Sequence, residues 1–304
     1  MNDLHADNED GKEGIRAGGH WIELTHTDRV IYDRDGITKQ DIIDYYYRMS
    51  GLVVRYTKDR PLMMQRLGWR DGSIDKVFVQ QRPSAYFPKW IRVETFEMKD
   101  SNETIDHVLC NDAASLIYLV NQGMITPHVW ASRFDRPDHP DQVVFDLDPG
   151  SGGFDIVRKT ARAVKEALER RGLMVFVMTT GSKGLHVRTP ILRRHTFDEV
   201  RDYARQIADE VASASSTTVT TEMRKDKRRG RLLIDVMRNA YGQNSVVPYA
   251  LRARAGAPVA LPVGWDELDA IKSDTFSLRN IRKRIEDRGD IWSGFFGHAR
   301  KLRL

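Results

Sequence analysis

Hydrophobic and polar positions change period several times along the chain, and each change marks an element. HWIEL alternates from His20 and predicts a short first strand. From about Gln40 to Tyr56 the apolar residues Ile42, Ile43, Tyr46, Met49 and Val53 fall at helical spacing, with Thr38 as N-cap and Asp41 in the first turn. PLMMQRL, KVFVQQR and WIRVETFEM read as strands, separated by turn signals at Asp71–Gly72 and Pro83–Ser84. A second helix fits Asp112 to Asn121 and is closed by Gly123. The polar, proline-bearing stretch SRFDRPDHPDQ then leads into VVFDLDPG, an apolar strand ended by Pro149 and Gly150.

The pattern beyond Gly150 is more regular. Val157, Ala161, Val164 and Leu168 form one helix face, and Gly172 follows as a stop. LMVFVMT is nearly continuous in apolar residues, as expected of a strand buried on both faces. TGSKG turns the chain and LHVRT returns as a strand. Thr196 and Glu199 form a capping box for a helix whose inner face carries Val200, Tyr203, Ala204, Ile207 and Val211. RLLIDVM closes the series. The order β-α-β-β-α-β is the split arrangement of ferredoxin-like folds, in which the first and last strands lie side by side. The expected class is α+β, with this unit as the catalytic core beside an N-terminal α/β subregion.

Within that frame Asp146 and Asp148 share one face of their strand, because side chains alternate. An isolated DxD at a strand end is often only a solvated turn. Adjacency of the first and last strands brings Asp235 beside the pair, however, and a carboxylate inside LLIDV has little structural reason to exist. Three converging carboxylates suit two divalent ions about 3.5–4 Å apart. Oxygen ligands and the lack of a cysteine cluster favour Mg²⁺ or Mn²⁺ over zinc.

Composition narrows the setting. The 304 residues include a single cysteine, Cys110, which rules out an internal disulfide and a multi-cysteine zinc site and makes a cytoplasmic location the expectation. No apolar run approaches bilayer-spanning length, and the first residues lack the layout of a signal peptide. Residues 1–19, rich in Asp, Glu, Asn and Gly, read as a disordered acidic tail. Residues 20–304 read as one domain: an N-terminal subregion to 140, a core from 141 to 255 and a C-terminal helical segment from 256 to 304. The net charge of +5 permits a polyanionic partner without requiring one.

TTGSKGLHV supplies a second chemical component. Gly181 and Gly184 allow an anion-binding nest of backbone amides, with Ser182 as a donor, Lys183 as a point charge and His186 on the strand beyond. The stretch is not a Walker A loop, and by itself a hairpin turn with one exposed lysine explains it as well. Arg231 and Arg252 flank the aspartate strand and are placed to meet phosphates. The rest of the run from Arg224 to Arg229 reads as a solvated loop. Phe78, Trp90 and Trp130 are stacking candidates or core aromatics, Arg29, Lys39 and Arg66 candidate backbone contacts, and His128 either a nucleotide contact or a buried histidine.

Taken together, FDLDPG at 145–150, TTGSKGLHV at 179–187, LLIDVMRN at 232–239 and SVVPYALRAR at 245–254 resemble the polymerase domain of bacterial DNA ligase D, a branch of the archaeo-eukaryotic primase superfamily. ELTHTDRVIY and WDEL add weaker support, and the likeness runs from about His20 almost to the C-terminus. The resemblance implies template-directed nucleotidyl transfer in non-homologous end joining, with a ribonucleotide preference and good use of Mn²⁺. It assigns Asp146, Asp148 and Asp235 to the metals. Ser182, Lys183, Gly184, His186 and Arg252 fall to the triphosphate, and His128 to the incoming nucleotide. Lys39 and Arg29 match positions holding a downstream 5′-phosphate, and Phe78 one that packs on template bases at a gap. The family commonly has asparagine and lysine where this chain has His26 and Arg29. It also has paired phenylalanines where this chain runs Val77, Phe78, Val79, Gln80.

The expected enzyme is therefore a primer-extending DNA polymerase of the nucleoid, using NTPs or dNTPs on gapped or broken DNA. A Ku-type end-binding protein and a DNA ligase are expected partners, and no membrane is. A two-metal nuclease built on the same aspartates, a de novo primase and a sheet-based nucleic-acid-binding module are the alternatives.

Overall fold

A computed structural model describes residues 6–7, 11–70, 73–99, 101 and 103–304. The chain forms two compact units, residues 1–129 with 246–258, and residues 130–245 with 259–304. The chain passes between them near 129, 245 and 258, whereas the sequence suggested internal boundaries at 140 and 255.

In the first unit β1 (Ala6–Asp7), β2 (Glu13–Ala17) and β3 (His20–Glu23) make a small antiparallel sheet. Of residues 1–19, read from the sequence as a disordered tail, 1–5 and 8–10 lie outside the described residues, whereas Glu13–Ala17 form a strand. Glu13–Ala17 pairs with His20–Glu23, and Ile15 and Ile22, opposite one another, are both buried. The three apolar residues Ile15, Ala17 and Ile22 outweigh the polar composition around them. A two-stranded ribbon, β4 (Val30–Tyr32) and β5 (Ile37–Thr38), leads into α1 (Lys39–Thr57). Thr38 and Asp41 close a reciprocal capping box, and Ile42, Ile43, Tyr46, Met49 and Val53 are all buried, as the spacing predicted.

The larger sheet of this unit is built from β6 (Pro61–Arg70), β7 (Ser73–Gln80), β8 (Val93–Glu97), β9 (Thr104–Leu109) and, after α2 (Ala113–Asn121), β10 (Met124–Val129). With β16 (Ser245–Val246) beside β10, its order is β16-β10-β6-β9-β8, and β7 also pairs with β6. The Asp71–Gly72 turn lies outside the described residues. β9 and β10 were not foreseen. TIDHVL lacks strict alternation, and Pro127 argues against a strand, yet β10 pairs with β6 from Met124 to Val129, and the Pro127 carbonyl accepts from Val247 N at 3.1 Å.

The second unit carries the β-α-β-β-α-β series: β11 (Gln142–Asp148), α3 (Gly153–Glu169), β12 (Phe176–Thr179), β13 (Leu185–Pro190), α4 (Phe197–Ala214) and, after the short β14 (Val219–Thr220), β15 (Leu232–Asp235). β16 (Ser245–Val246) leads back to the first unit. β17 (Pro262–Val263) gives the sheet order β14-β15-β11-β13-β12-β17. The first and last strands of the series, β11 and β15, are neighbours, as the ferredoxin-like reading requires. One sheet face carries Phe145, Leu147, Leu185, Val187 and Val177 against α3 and α4, whose Val157, Ala161, Val164, Leu168, Val200, Ala204 and Ile207 are fully buried. Each such Val, Leu, Ile or Phe side chain contributes about 1.5–3 kcal/mol. That packing commits odd-numbered β11 residues inward and turns Asp146 and Asp148 to the opposite face. The C-terminal stretch is less helical than expected. It holds α5 (Ile281–Arg288) and a single 3-10 turn at Phe295–His298, and its Trp292 and Phe295 cover Phe176 on the aspartate-bearing face.

Candidate active site

In the second unit, Asp146 sits directly opposite Asp235 on β15 and directly opposite His186 on β13. The catalytic candidates of three strands therefore form one row across the sheet. Asp146 is buried. Its Oδ1 is 3.4 Å from His186 Nε2, and its Oδ2 accepts from Arg238 Nε at 3.2 Å. Burial alone would push this carboxyl up, but His186 and Arg238 outweigh it and hold Asp146 well below the ordinary carboxylate range. Asp148, at the exposed end of the strand, shifts the other way, raised by desolvation and then by the charges of Asp146 and Asp235. Asp235 Oδ1 accepts from Met237 N at 2.7 Å.

Arg238 was not singled out in the sequence, although it lies within LLIDVMRN. It reaches Asp146 because the chain turns sharply after β15, through a 3-10 turn at Met237–Asn239. The buried Asn239 fixes that turn. Its Oδ1 accepts from Val144 N at 2.8 Å and its Nδ2 donates to Val144 O at 2.7 Å, so one side chain continues the β11 ladder where β15 stops.

Among the described residues no three His, Cys, Asp or Glu side chains stand as a ready metal-binding group. The donor set still fits divalent cations. Three carboxylates face one way, Asp148 is raised by desolvation and then by the charges of the other two, and the guanidinium of Arg238 supplies positive charge at Asp146.

The Thr180–Gly184 turn differs from the nest that the sequence suggested. The amides of Ser182 and Gly184 donate to Thr180 Oγ1 at 3.3 and 3.2 Å, and Thr180 Oγ1 donates to Gly184 O at 3.1 Å. The turn is thus braced from within, and its offering to an anion is the half-buried Ser182 hydroxyl and the exposed Lys183 ammonium. Gly184 is required for a different reason: a Cβ there would collide with the Leu147 carbonyl of β11. Arg231 also differs. Its guanidinium donates to Arg228 O at 2.9 Å, Ser216 O at 3.2 Å and Lys227 O at 3.4 Å, which ties its own loop together.

In the first unit, Thr25, His26, Arg29, Lys39, Gln122 and Gly123 are among the residues around a cavity of 140 Å³. Burial and the neighbouring Arg29 charge bring the Lys39 ammonium down to about 8, and its Nζ donates to Thr25 O at 2.5 Å. Arg66 donates to Gln80 Oε1 and to the Gln122 carbonyl, and its guanidinium is 5.7 Å from the Phe78 ring centroid. Phe78 is half-buried, while Trp90 stacks on His20 at 4.3 Å. His128 Nδ1 lies 3.3 Å from Thr126 O, and Arg252 is half-buried, its amide donating to Pro258 O at 2.8 Å. Trp130, in the second unit, is buried edge-on to Tyr241 and is a core residue.

A ferredoxin-like sheet with carboxylates on its open face, beside a turn that offers a hydroxyl and an ammonium, defines a metal-dependent nucleotidyltransferase class. Residues 38–292 match the family model for the primase-polymerase domain of LigD, and the chain belongs to that family of DNA-directed nucleotidyltransferases. It is 30% identical over 279 residues to a multifunctional non-homologous end joining protein LigD of Mycobacterium bovis, covering 89% of this chain and 36% of the relative. The Pseudomonas aeruginosa LigD protein is 26% identical over 294 residues, covering 94% of this chain and 34% of the relative. The Bacillus subtilis bifunctional LigD protein is 26% identical over 278 residues, covering 90% and 44%. This chain thus spans less than half the length of these curated relatives. The polymerase domain of Mycobacterium tuberculosis ligase D, solved in complex with DNA, superposes with a TM-score of 0.85 at 30% identity, covering 91% of this chain and 99% of that one.

No helix among the described residues is long and apolar enough to cross a membrane.

Proposed function

We propose that this chain extends a DNA primer by template-directed addition of ribonucleotides, and of deoxyribonucleotides, at gaps and broken ends during non-homologous end joining. The observation that carries the reading is the row Asp235–Asp146–His186 across three strands, in a chain whose family transfers nucleotides on DNA. The names of the relatives support the repair setting. The comparisons favour neither a two-metal nuclease nor de novo priming.

Asp146, Asp148 and Asp235 would hold two Mg²⁺ or Mn²⁺ ions, which supply a lowered pKa for the attacking 3′-hydroxyl and charge neutralisation in the in-line displacement. The chain's own residues do the positioning. Ser182 and Lys183 grip triphosphate oxygens from the braced turn, His186 donates from the neighbouring strand, and Gly184 lets the turn approach β11. Arg252 and His128, which belong to the first unit, are proposed as nucleotide contacts on the family resemblance alone. Phosphoryl transfer depends chiefly on such positioning and charge stabilisation.

Lys39 and Arg29 take a 5′-phosphate into the cavity of the first unit, where two cations favour a dianion. Phe78, held by Arg66, stacks on template bases. Arg231 acts on DNA only through the loop it ties. A Ku-type protein and a ligase are the expected partners, at the nucleoid. Gel-based extension of a gapped substrate, with NTPs against dNTPs and with a 5′-phosphate against a 5′-hydroxyl, tests the reading. Strand shortening without added nucleotide would instead point to a nuclease.

A further inference from the structure

Arg188 is a guanidinium inside a strand of the catalytic unit, 1% exposed, two residues beyond His186 and on the same face of β13. An arginine so deep is costly unless its donors are used. Its Nη2 meets His186 Nδ1 at 3.0 Å, and its Nη1 donates to Gln142 Oε1 at 3.3 Å. The Trp292 ring, with its centroid 5.9 Å from Arg188 Cζ, helps to cover it. At that depth the guanidinium does not itself reach a nucleotide.

The direction of the hydrogen bond to His186 follows from chemistry. Guanidinium has five donors and no acceptor, so Nδ1 must present its lone pair. A neutral imidazole with Nδ1 as acceptor carries its hydrogen on Nε2. Nε2 is the nitrogen 3.4 Å from Asp146 Oδ1, so the ring points its hydrogen along the row of carboxylates. Gln142, two residues before Val144 on the neighbouring strand, fixes the guanidinium from the far side, and Val144 stands opposite Arg188 in the ladder.

We infer that Arg188 is a positioning residue for nucleotidyl transfer: it locks His186 as the Nε2–H tautomer, with the ring turned to donate to an anion. That anion is the Asp146 carboxylate in the nucleotide-free protein and a triphosphate oxygen once nucleotide is bound. The second half of the inference rests on the proposed role of His186 in gripping the triphosphate. An arginine that orients a phosphate-binding histidine of its own strand differs from an arginine kept only for packing, because its effect must pass through one imidazole.

The test uses the full chain. Nitrogen-15 NMR of labelled histidine reports the His186 tautomer, and primer extension reports KM for NTP and kcat, in the wild type, Arg188→Met and Arg188→Lys, each also in a His186→Ala background. Thermal unfolding accompanies every variant. The expected wild-type spectrum has a hydrogen on Nε2 and a lone pair on Nδ1. Arg188→Met mixes the tautomers and raises KM about tenfold while kcat falls by less than about threefold, the scale of one charged hydrogen bond to a ground-state ligand. Arg188→Lys restores most of the loss. In the His186→Ala background Arg188→Met changes KM by less than about twofold, because the coupled partner is gone. A wild-type ring protonated at Nδ1 alone overturns the inference, whether or not any variant folds. So does an equal KM penalty with and without His186, which marks Arg188 as merely structural. If His186→Ala leaves both constants unchanged, the triphosphate role fails, and the tautomer spectrum separately decides the hold of Arg188 on the ring.

Discussion

Asp146 and Asp235 face each other directly across the antiparallel ladder of β11 and β15, on the sheet face turned away from α3 and α4. Two carboxylates in register at the centre of a sheet repel each other, and sheets do not otherwise select such pairs. Arg238 and His186 relieve part of that repulsion at Asp146, whereas Asp148 is raised first by desolvation and then by the charges of Asp146 and Asp235.

If Asp235 contributes to that upward shift, Asp235→Asn should bring Asp148 down toward the ordinary carboxylate range in metal-free protein. Carbon-13 NMR titration of labelled aspartate would measure it. An unchanged Asp148 would mean that desolvation and Asp146 set its shift without Asp235.

Gly184→Ala should destabilise the second unit by roughly 1–3 kcal/mol, because the added methyl group meets the Leu147 carbonyl, a backbone atom unable to swing aside. Denaturant unfolding reads the loss directly. Gly153→Ala provides a contrast: nothing lies within 4 Å of its added Cβ, so its cost should come from its positive φ alone.

Lys39 gives the 5′-phosphate preference a pH dependence. Its ammonium titrates at about 8 in the DNA-free protein, so it is mostly charged at pH 7 and mostly neutral at pH 9. A bound phosphate would raise that midpoint. The ratio of affinities for 5′-phosphorylated over 5′-hydroxyl gapped DNA should therefore fall as pH rises from 7 to 9, and should flatten in Lys39→Arg. A ratio independent of pH in the wild type would remove Lys39 from the phosphate contact.

Arg231→Met should cost about 1–2 kcal/mol of stability through lost carbonyl contacts, with little change in the salt dependence of DNA binding. The opposite result, an unchanged stability and a salt slope smaller by about one, would identify a direct phosphate contact.

The placement of Asp146, Asp235 and His186 in one row was legible in the sequence because two strong signals coincide there. Alternation within VVFDLDPG and LLIDV fixes which residues share a face, and the ferredoxin-like order fixes which strands touch. What the sequence concealed depends on turns. Arg238 approaches Asp146 only because Asn239 takes over the ladder beyond β15, and no periodicity announces that. The nest reading missed that Thr180, a residue outside the glycine pattern, takes the amides of Ser182 and Gly184. Residues 13–17 looked like tail because their polar composition hid Ile15 and Ala17, whose burial depends on a hairpin with His20–Glu23. Arg188 did leave a trace, a charge inside the apolar strand LHVRT, comparable to the aspartates that were noticed.

The measurement that bears most directly on the account is extension of a labelled primer on gapped DNA, run with Mn²⁺ and with Mg²⁺, using the wild type beside Asp146→Ala and Asp148→Ala. The account predicts template-directed addition by the wild type and a loss of at least about a thousandfold in either variant, about 4 kcal/mol of transition-state stabilisation, with folding retained. Addition that persists in a folded Asp146→Ala or Asp148→Ala protein would contradict it.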